Sequence, residues 1–501
     1  MKMLKSSKFI FIACCCLFLT IACDQQKQNT TQTKPTPPAQ SASTTTLIRA
    51  GEFSQFQLDP HQVNDLQNTA LLYDLYEGLI SYDIHGNIVP AVAESWESKN
   101  QKLWLFHLRQ NAKWSDGSNV TAEDFVQSWQ HLLSSKAPLA RYLGFIAIQN
   151  AEKILTDKLP ATALGIQAID THTLQIQLDK ANANLPMMLA HISLVPTKAA
   201  LSNGAYTLKQ IDEQKILLAA NPYYWNKAHL SFQQVEYWRN NLTSPQVDWQ
   251  LNTQRTGTEV QYVPKLCGYY YELNPHHPTL HDVAVRQALV SLISSQSAVA
   301  NVAIKGKATA NLLPQSMLFG SYLNLPPAEQ LLMQAKITNR HPLHITLTFD
   351  DSVINQQIAQ NLTRQFAQSD LIRVTLQAKD SQTWATEHSQ QQFQLIRSGW
   401  CADYNDPSAF LNIFHSKSPD NLLHYHNPQV DQWLEQAMVE IEIEKRQQLY
   451  QQVVDALVQD AIILPIFQYY LPVYIAPNVA GYDLNNPTQI FYSKDLYRLV
   501  H

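Results

Sequence analysis

Six cysteines are spread so unevenly that they divide the chain before any helix or strand is read. Cys14, Cys15, Cys16 and Cys23 crowd the N-terminus, and only Cys267 and Cys401 fall in the remainder. Lys2, Lys5 and Lys8 precede an apolar run from Phe9 to Ile21 that ends at Ala22-Cys23. A basic start, a short apolar stretch and a small residue at the cut make residues 1–22 a secretory leader. The run is shorter than the roughly 20 residues that cross a bilayer as a helix. Export places the body in an oxidising compartment, where disulfides persist. A Cys267–Cys401 bridge and two separately buried thiols are the arrangements open to the pair. The bridge would close a long loop, worth at most roughly 5 kcal/mol in the chain-entropy model.

Cys23, directly after the cut, resembles the lipobox cysteine of bacterial lipoproteins, with Thr20 where leucine is usual. Acylation of Cys23 is the expectation, with plain cleavage and an uncleaved anchor as alternatives. Asp24 resembles the inner-membrane retention signal of enteric bacteria. Residues 23–46 are polar and rich in Thr, Gln and Pro, a composition that cannot bury a core and suits a tether.

A chain of 501 residues exceeds what one core serves, so two or three domains are expected. A hydrophobic fraction of 45% with 15% charged residues is globular, and a net charge of −5 offers nucleic acid nothing. The 22 Tyr and 10 Trp suit large cores or a cavity that grips an organic ligand. From Leu47 onward strands and helices intermix. Leu103–Leu108 and Leu174–Leu178 read as strands, with a turn at Asp116-Gly117. Thr121 and Asp124 form a capping box for a helix through Phe125, Trp129 and Leu132, and Asp282 caps another through Leu292. His344–Phe349 is a strand followed by a helix over Ile354–Phe366; Gln429–Met438 and Ile443–Val458 are helices. Ile462–Ile475 is strand-like but broken by Pro465 and Pro472. The pattern predicts a mixed α/β fold.

No hydrolase or metalloprotease motif occurs, and Gly306-Lys307 fails as a phosphate loop because Asn301 and Ala308 stand at its required positions. His276-His277 and His424-Tyr425-His426 invite a metal reading, against an exposed-loop reading for histidines flanked by Pro275 and Pro278. No metal or other cofactor is expected. The densest polar and aromatic stretch is Arg397 to Pro407 (RSGWCADYNDP), with Trp400 and charges at Arg397, Asp403 and Asp406. Arginine offers a planar fork to a carboxylate and aspartate accepts an ammonium, so a cleft holding both could grip a zwitterion. An internal Arg–Asp pair reads equally well.

RSGWCADYNDPSAFLN resembles the corresponding stretch of periplasmic oligopeptide-binding proteins, the peptide group of the family 5 solute-binding proteins of ABC transporters. So do Pro90 to Trp129, LDPH (Leu58 to His61), NGAYTL (Asn203 to Leu208), NPYYW (Asn221 to Trp225) and DVAVRQAL (Asp282 to Leu289). The resemblance spans Leu47 to His501. It implies a type II (cluster C) two-lobed fold with an extra domain in the first lobe, closing over a ligand like a flytrap. The implied division is 47–61, 166–266 and 476–501 for domain I, 62–165 for domain II and 267–475 for domain III. It also implies a periplasmic protein without catalysis, which hands short peptides to membrane permeases with separate ATPase subunits; with the Cys23 reading, the expectation is a lipid-anchored monomer. In the family a disulfide joins the positions matching Cys267 and Cys401.

Residue by residue, Asp403 matches the aspartate that pairs with the peptide's α-ammonium, and Arg397 an arginine used for the C-terminal carboxylate. Tyr270 and Trp384 match aromatics lining the ligand tunnel. Glu52, Phe53, Ser54, Gly399 and Cys401 match positions whose main chain pairs with the peptide as an added strand. The chain departs from the pattern at Asn355, where a histidine helps hold the C-terminus. It departs again at the shortened His388 to Gln392 and Pro196 to Asn203, and at Ser295-Gln296. The depleted C-terminal grip leaves a murein-peptide, haem or metal-chelate binder as an alternative, and a signalling or adhesion lipoprotein as another.

Overall fold

The computed structural model describes residues 45–239, 247–319 and 324–499. The leader, Cys23 and nearly all of the expected tether lie outside these residues, although Thr46, its last residue, already begins a strand. Among the described residues no helix is long and apolar enough to cross a membrane.

Local signals set several elements. The Thr121 hydroxyl accepts the Asp124 amide at 3.3 Å, while the Asp124 carboxylate accepts the Thr121 amide at 2.7 Å. This reciprocal cap opens the helix Ala122–Ser134, which buries Phe125, Trp129 and Leu132. Asp282 likewise accepts the Ala284 amide at 2.9 Å and starts Val283–Ser291.

One continuous sheet runs through two lobes. Two long strands, Val260–Leu273 and Ile463–Ile475, pair antiparallel with each other and carry the chain between the lobes. On one side Ile463–Ile475 meets Trp249–Leu251, and the sheet goes on through Thr46–Gly51, Gln234–Arg239, Lys215–Ala220 and Tyr206–Ile211. Leu47, Val235, Trp249 and Val473 lie in the core beneath this half. On the other side Val260–Leu273 meets Leu395–Cys401, followed by the parallel strands Leu343–Asp350 and Ile372–Lys379. Ile358 and Leu362 of the helix Val353–Phe366 fill a core with Ile345 and Leu347, while Val430, Leu434, Val453 and Leu457 form a separate core with Ile396. The expected mixed α/β, two-lobed architecture is the one observed.

The first lobe holds a second unit, a four-stranded antiparallel sheet over a core of Phe106, Trp114, Phe125 and Trp129. Ile166–Asp170 and Thr173–Gln177 belong to this sheet, pairing through Leu103–Leu108. The boundary expected at 165/166 therefore falls inside one hydrogen-bonded sheet, and Leu174, Ile176, Leu189 and Leu194 share its core. The break expected within Ile462–Ile475 also disappears. Pro465 sits at an irregularity in the pairing with Tyr269 and Tyr270, where a missing N–H costs no ladder bond.

Candidate ligand-binding site

The site lies at the carboxyl ends of the second lobe's parallel strands, the usual place for a crevice in such a sheet. Leu395–Cys401 is covered along its whole length on one side, from Leu273↔Leu395 to Cys267↔Cys401. On the other side only Leu395 and Ile396 have partners, Leu347 and Thr348. Strand geometry decides which groups face the remaining edge. The Asn274 amide donates to the Gln394 carbonyl and the Ala402 amide to the Leu266 carbonyl, so even-numbered residues turn their polar groups toward Val260–Leu273. Arg397, Gly399 and Cys401 turn theirs outward. The Trp384 indole donates to the Arg397 carbonyl at 3.1 Å and takes the first of these positions. No strand among the described residues covers Gly399 and Cys401, which leaves a short edge open to an added strand.

Cys267 and Cys401 are joined in a disulfide, with Cα atoms 4.0 Å apart. They are directly opposed in register at a position without mutual ladder bonds, where side chains approach closely. The bridge therefore anchors the outer end of the open edge.

Asp403 follows two residues later and lines a cavity of about 360 Å³. Val63, Asp65 and Tyr73 line it from the first lobe, Leu266 and Tyr404 from the other side. The Asp403 carboxylate makes no hydrogen bond or ion pair among the described residues, and although the residue is solvent-exposed it is crowded. Desolvation first, and the charge of Asp420 second, raise its pKa above the usual value. Its loop is pinned just beyond Asp403. Tyr404 packs in the four-stranded unit's core, and Asp406 accepts hydrogen bonds from Asn184 at 3.0 Å and Tyr450 at 2.9 Å. Asp406 is thus a structural carboxylate.

Arg397 lies with its guanidinium 5.0 Å from the Tyr269 ring centre and 5.9 Å from that of Trp384. Its Nη1 is 3.5 Å from Asp350 Oδ1 and its Nη2 3.4 Å from the Tyr469 hydroxyl. Its Nε and the Asp350 Oδ1 are both buried without a hydrogen-bond partner. Tyr270, on the opposite face of its strand from Tyr269, is 2% exposed among Leu312, Ile396 and Phe410, in a core rather than on a tunnel wall. Beneath Arg397 a buried group is closed on itself. Glu272 accepts the Ser398 hydroxyl at 2.8 Å and pairs with His388 at 2.7 Å.

In the first lobe Phe53 packs on Phe56 and Tyr237, while Glu52 and Ser54 are exposed beside it. The carbonyls of Phe53 and Ser54 both accept from the Arg239 guanidinium, the former at 3.0 Å. Asn355 is buried, accepting the Tyr269 hydroxyl at 2.9 Å and donating to the Asp350 carbonyl at 3.2 Å, so it braces the site without facing it. Among the described residues no three His, Cys, Asp or Glu stand together to hold a metal ion; the His276 ring lies 3.3 Å from the His424 carbonyl. Asp350, Tyr269, Tyr469 and Arg239 carried no sequence signal beyond their position, Asp350 ending an apolar strand just ahead of a capped helix.

Two lobes joined by crossing strands, with an open strand edge and under-bonded charges beside an interlobe cavity, define a solute-binding protein of the flytrap type. The sequence places it further: residues 87–421 match the bacterial extracellular solute-binding proteins, family 5, and the chain belongs to that family. It is 42% identical to a Haemophilus influenzae protein described only as a binding protein, over 97% of this chain and 96% of the other. Identity to the periplasmic oligopeptide-binding protein OppA of Salmonella typhimurium is 32%, over 92% and 94%. Among solved structures, the murein tripeptide binding protein MppA in its unliganded open form superposes with a TM-score of 0.86 at 30% identity, covering 92% of this chain and 98% of that one. A second structure, of the Escherichia coli murein tripeptide binding protein MppA, gives 0.67 at the same identity and 99% coverage of that chain.

Proposed function

We propose that this protein is the capture component of a peptide ABC importer, held at the outer face of a membrane by a lipid on Cys23, and that it has no catalytic activity. The observation that carries this reading is the open backbone edge at Gly399 and Cys401, flanked by Arg397 and Asp403. A peptide laid antiparallel on that edge takes main-chain hydrogen bonds that read no side chain, which admits many sequences. Its α-ammonium meets Asp403 and its far end meets Arg397. Arg397 to Cys401 spans about 13 Å of extended chain, the length of roughly four residues. Trp384 walls the Arg397 end, Tyr269 backs the guanidinium from the core, Tyr270 supports the strand from beneath, and Glu52 to Ser54 meet the peptide from the first lobe on closure. Relatives named for oligopeptide and for murein peptide binding support peptide as the ligand class.

Calorimetry with a tri- to pentapeptide library on wild-type protein and Asp403→Ala tests this. Binding that weakens at least tenfold in the variant is the expected result; equal affinity in both removes the ammonium-pairing role. Mass spectrometry of the material that co-purifies with the protein reports the ligand directly.

A further inference from the structure

The Arg397 end of the cleft is not simply positive. Asp350 sits beside the guanidinium, yet the two are poorly joined: the single contact is 3.5 Å, one-pronged, and both Arg397 Nε and Asp350 Oδ1 are buried without a hydrogen bond. On the neighbouring strand's end, Lys379 and Glu387 form a full pair at 2.7 Å. A guanidinium has five donors, and here its one hydrogen bond among the described residues, to Tyr469, is 3.4 Å long. The Asp350 side chain accepts no hydrogen bond among the described residues. Both charges are therefore held close with most of their bonding capacity unused.

We infer that Asp350 is a specificity-determining residue that selects the charge of the ligand's C-terminal residue, an inference that rests on the peptide reading above. A bare carboxylate arriving at Arg397 also meets the Asp350 charge, and like charges at short range in a partly desolvated site oppose binding. A carboxylate that brings its own cation satisfies both residues at once: the fork takes the carboxylate and Asp350 takes the cation. The ligand class favoured is a short peptide ending in a residue with a basic side chain. The half-buried Trp384 suits this, because it flanks the fork with a ring face that also accepts a cation.

The test compares two tetrapeptides of similar size, Ala-Ala-Ala-Lys and Ala-Ala-Ala-Met, by calorimetry against wild type, Asp350→Asn and Asp403→Ala. Wild type is expected to prefer the lysine peptide by on the order of tenfold, Asp350→Asn to bring the ratio close to one, and Asp403→Ala to weaken both peptides alike. Asp350→Ser serves as a second variant if the asparagine protein does not fold. A ratio unchanged by either substitution, or no preference in wild type, overturns the role of Asp350 while leaving peptide capture standing. Failure of wild type to bind any peptide of the library overturns both. A change in stability alone would move both affinities together, so the ratio separates selection from mere structural support.

Discussion

Trp384 donates its indole N–H to the carbonyl of Arg397 at 3.1 Å, closing the first outward-facing position of a strand edge whose next two stay open. The edge is thereby limited to Gly399 and Cys401, and its length is set by one aromatic side chain on a separate helix, Ser381–Ser389.

As the proposed partner of the ligand's ammonium, Asp403 ties affinity to pH. Its pKa lies above the ordinary carboxylate value, chiefly through desolvation. An ammonium ligand needs the ionised form, so affinity rises with pH through that raised pKa, and protons are released on binding within the window. In the free protein the folded state holds the proton more tightly than the unfolded chain, so this group's contribution to stability falls as pH rises through the same window. Calorimetry from roughly pH 4 to 7 in buffers of different ionisation enthalpy measures the release; a flat profile speaks against Asp403 as the anchor.

Gly399 lies where a side chain does not fit. A Cβ there would stand 2.8 Å from the Gly268 carbonyl oxygen on the paired strand. Gly399→Val is expected to push the two strands apart, to cost about 1–3 kcal/mol of stability, and to weaken peptide binding beyond what that loss explains. Thermal melts alongside calorimetry read both effects.

The disulfide spans a sequence separation of 134 residues, which the chain-entropy model values at about 5 kcal/mol. Replacing both cysteines by serine is expected to lower the denaturant midpoint with a loss of this order or somewhat less. Binding should weaken as well, because the bridge anchors the open edge at Cys401. A variant with an unchanged midpoint would show that the strand pairing alone suffices.

Glu272 and His388 are both buried, with side-chain exposures of 9% and 6%. His388→Leu leaves the buried Glu272 carboxylate with the Ser398 hydroxyl as its remaining partner among the described residues, and a stability loss of about 1–3 kcal/mol is expected. The double variant His388→Leu with Glu272→Gln should recover much of it. Denaturant unfolding of the three proteins checks the sign.

What the sequence disclosed was local in origin. The Thr121–Asp124 box and the Asp282 cap depend on residues within one helical turn, and the Asp116-Gly117 turn on the positive φ of 87° that Gly117 adopts. Interactions between distant segments were less readable. Pro465 argued for a break, but a strand partnered on both sides tolerates it at an irregularity. The domain boundary slipped because Thr173–Gln177, hairpin partner of Ile166–Asp170, returns to Leu103–Leu108, from which several helices separate it. At the site, the family resemblance pointed to Asp403, Arg397, Gly399 and Cys401, whereas the open edge emerges only once strand pairing fixes which carbonyls turn outward. Asp350 and Arg239 were missed because single charges at strand ends are common, and only the fold puts one beside Arg397 and the other on the carbonyls of Phe53 and Ser54.

The shared sheet has a mechanical meaning. Val260–Leu273 and Ile463–Ile475 are hydrogen-bonded to each other and to neighbours in each lobe, so the lobes cannot slide past one another without tearing the ladder. What remains soft is the twist of a two-stranded ribbon. Relative motion of the lobes is thereby reduced to a twist about one axis, as in a torsion bar. In the proposed capture role, the guest's contacts on both lobes set the angle of that twist.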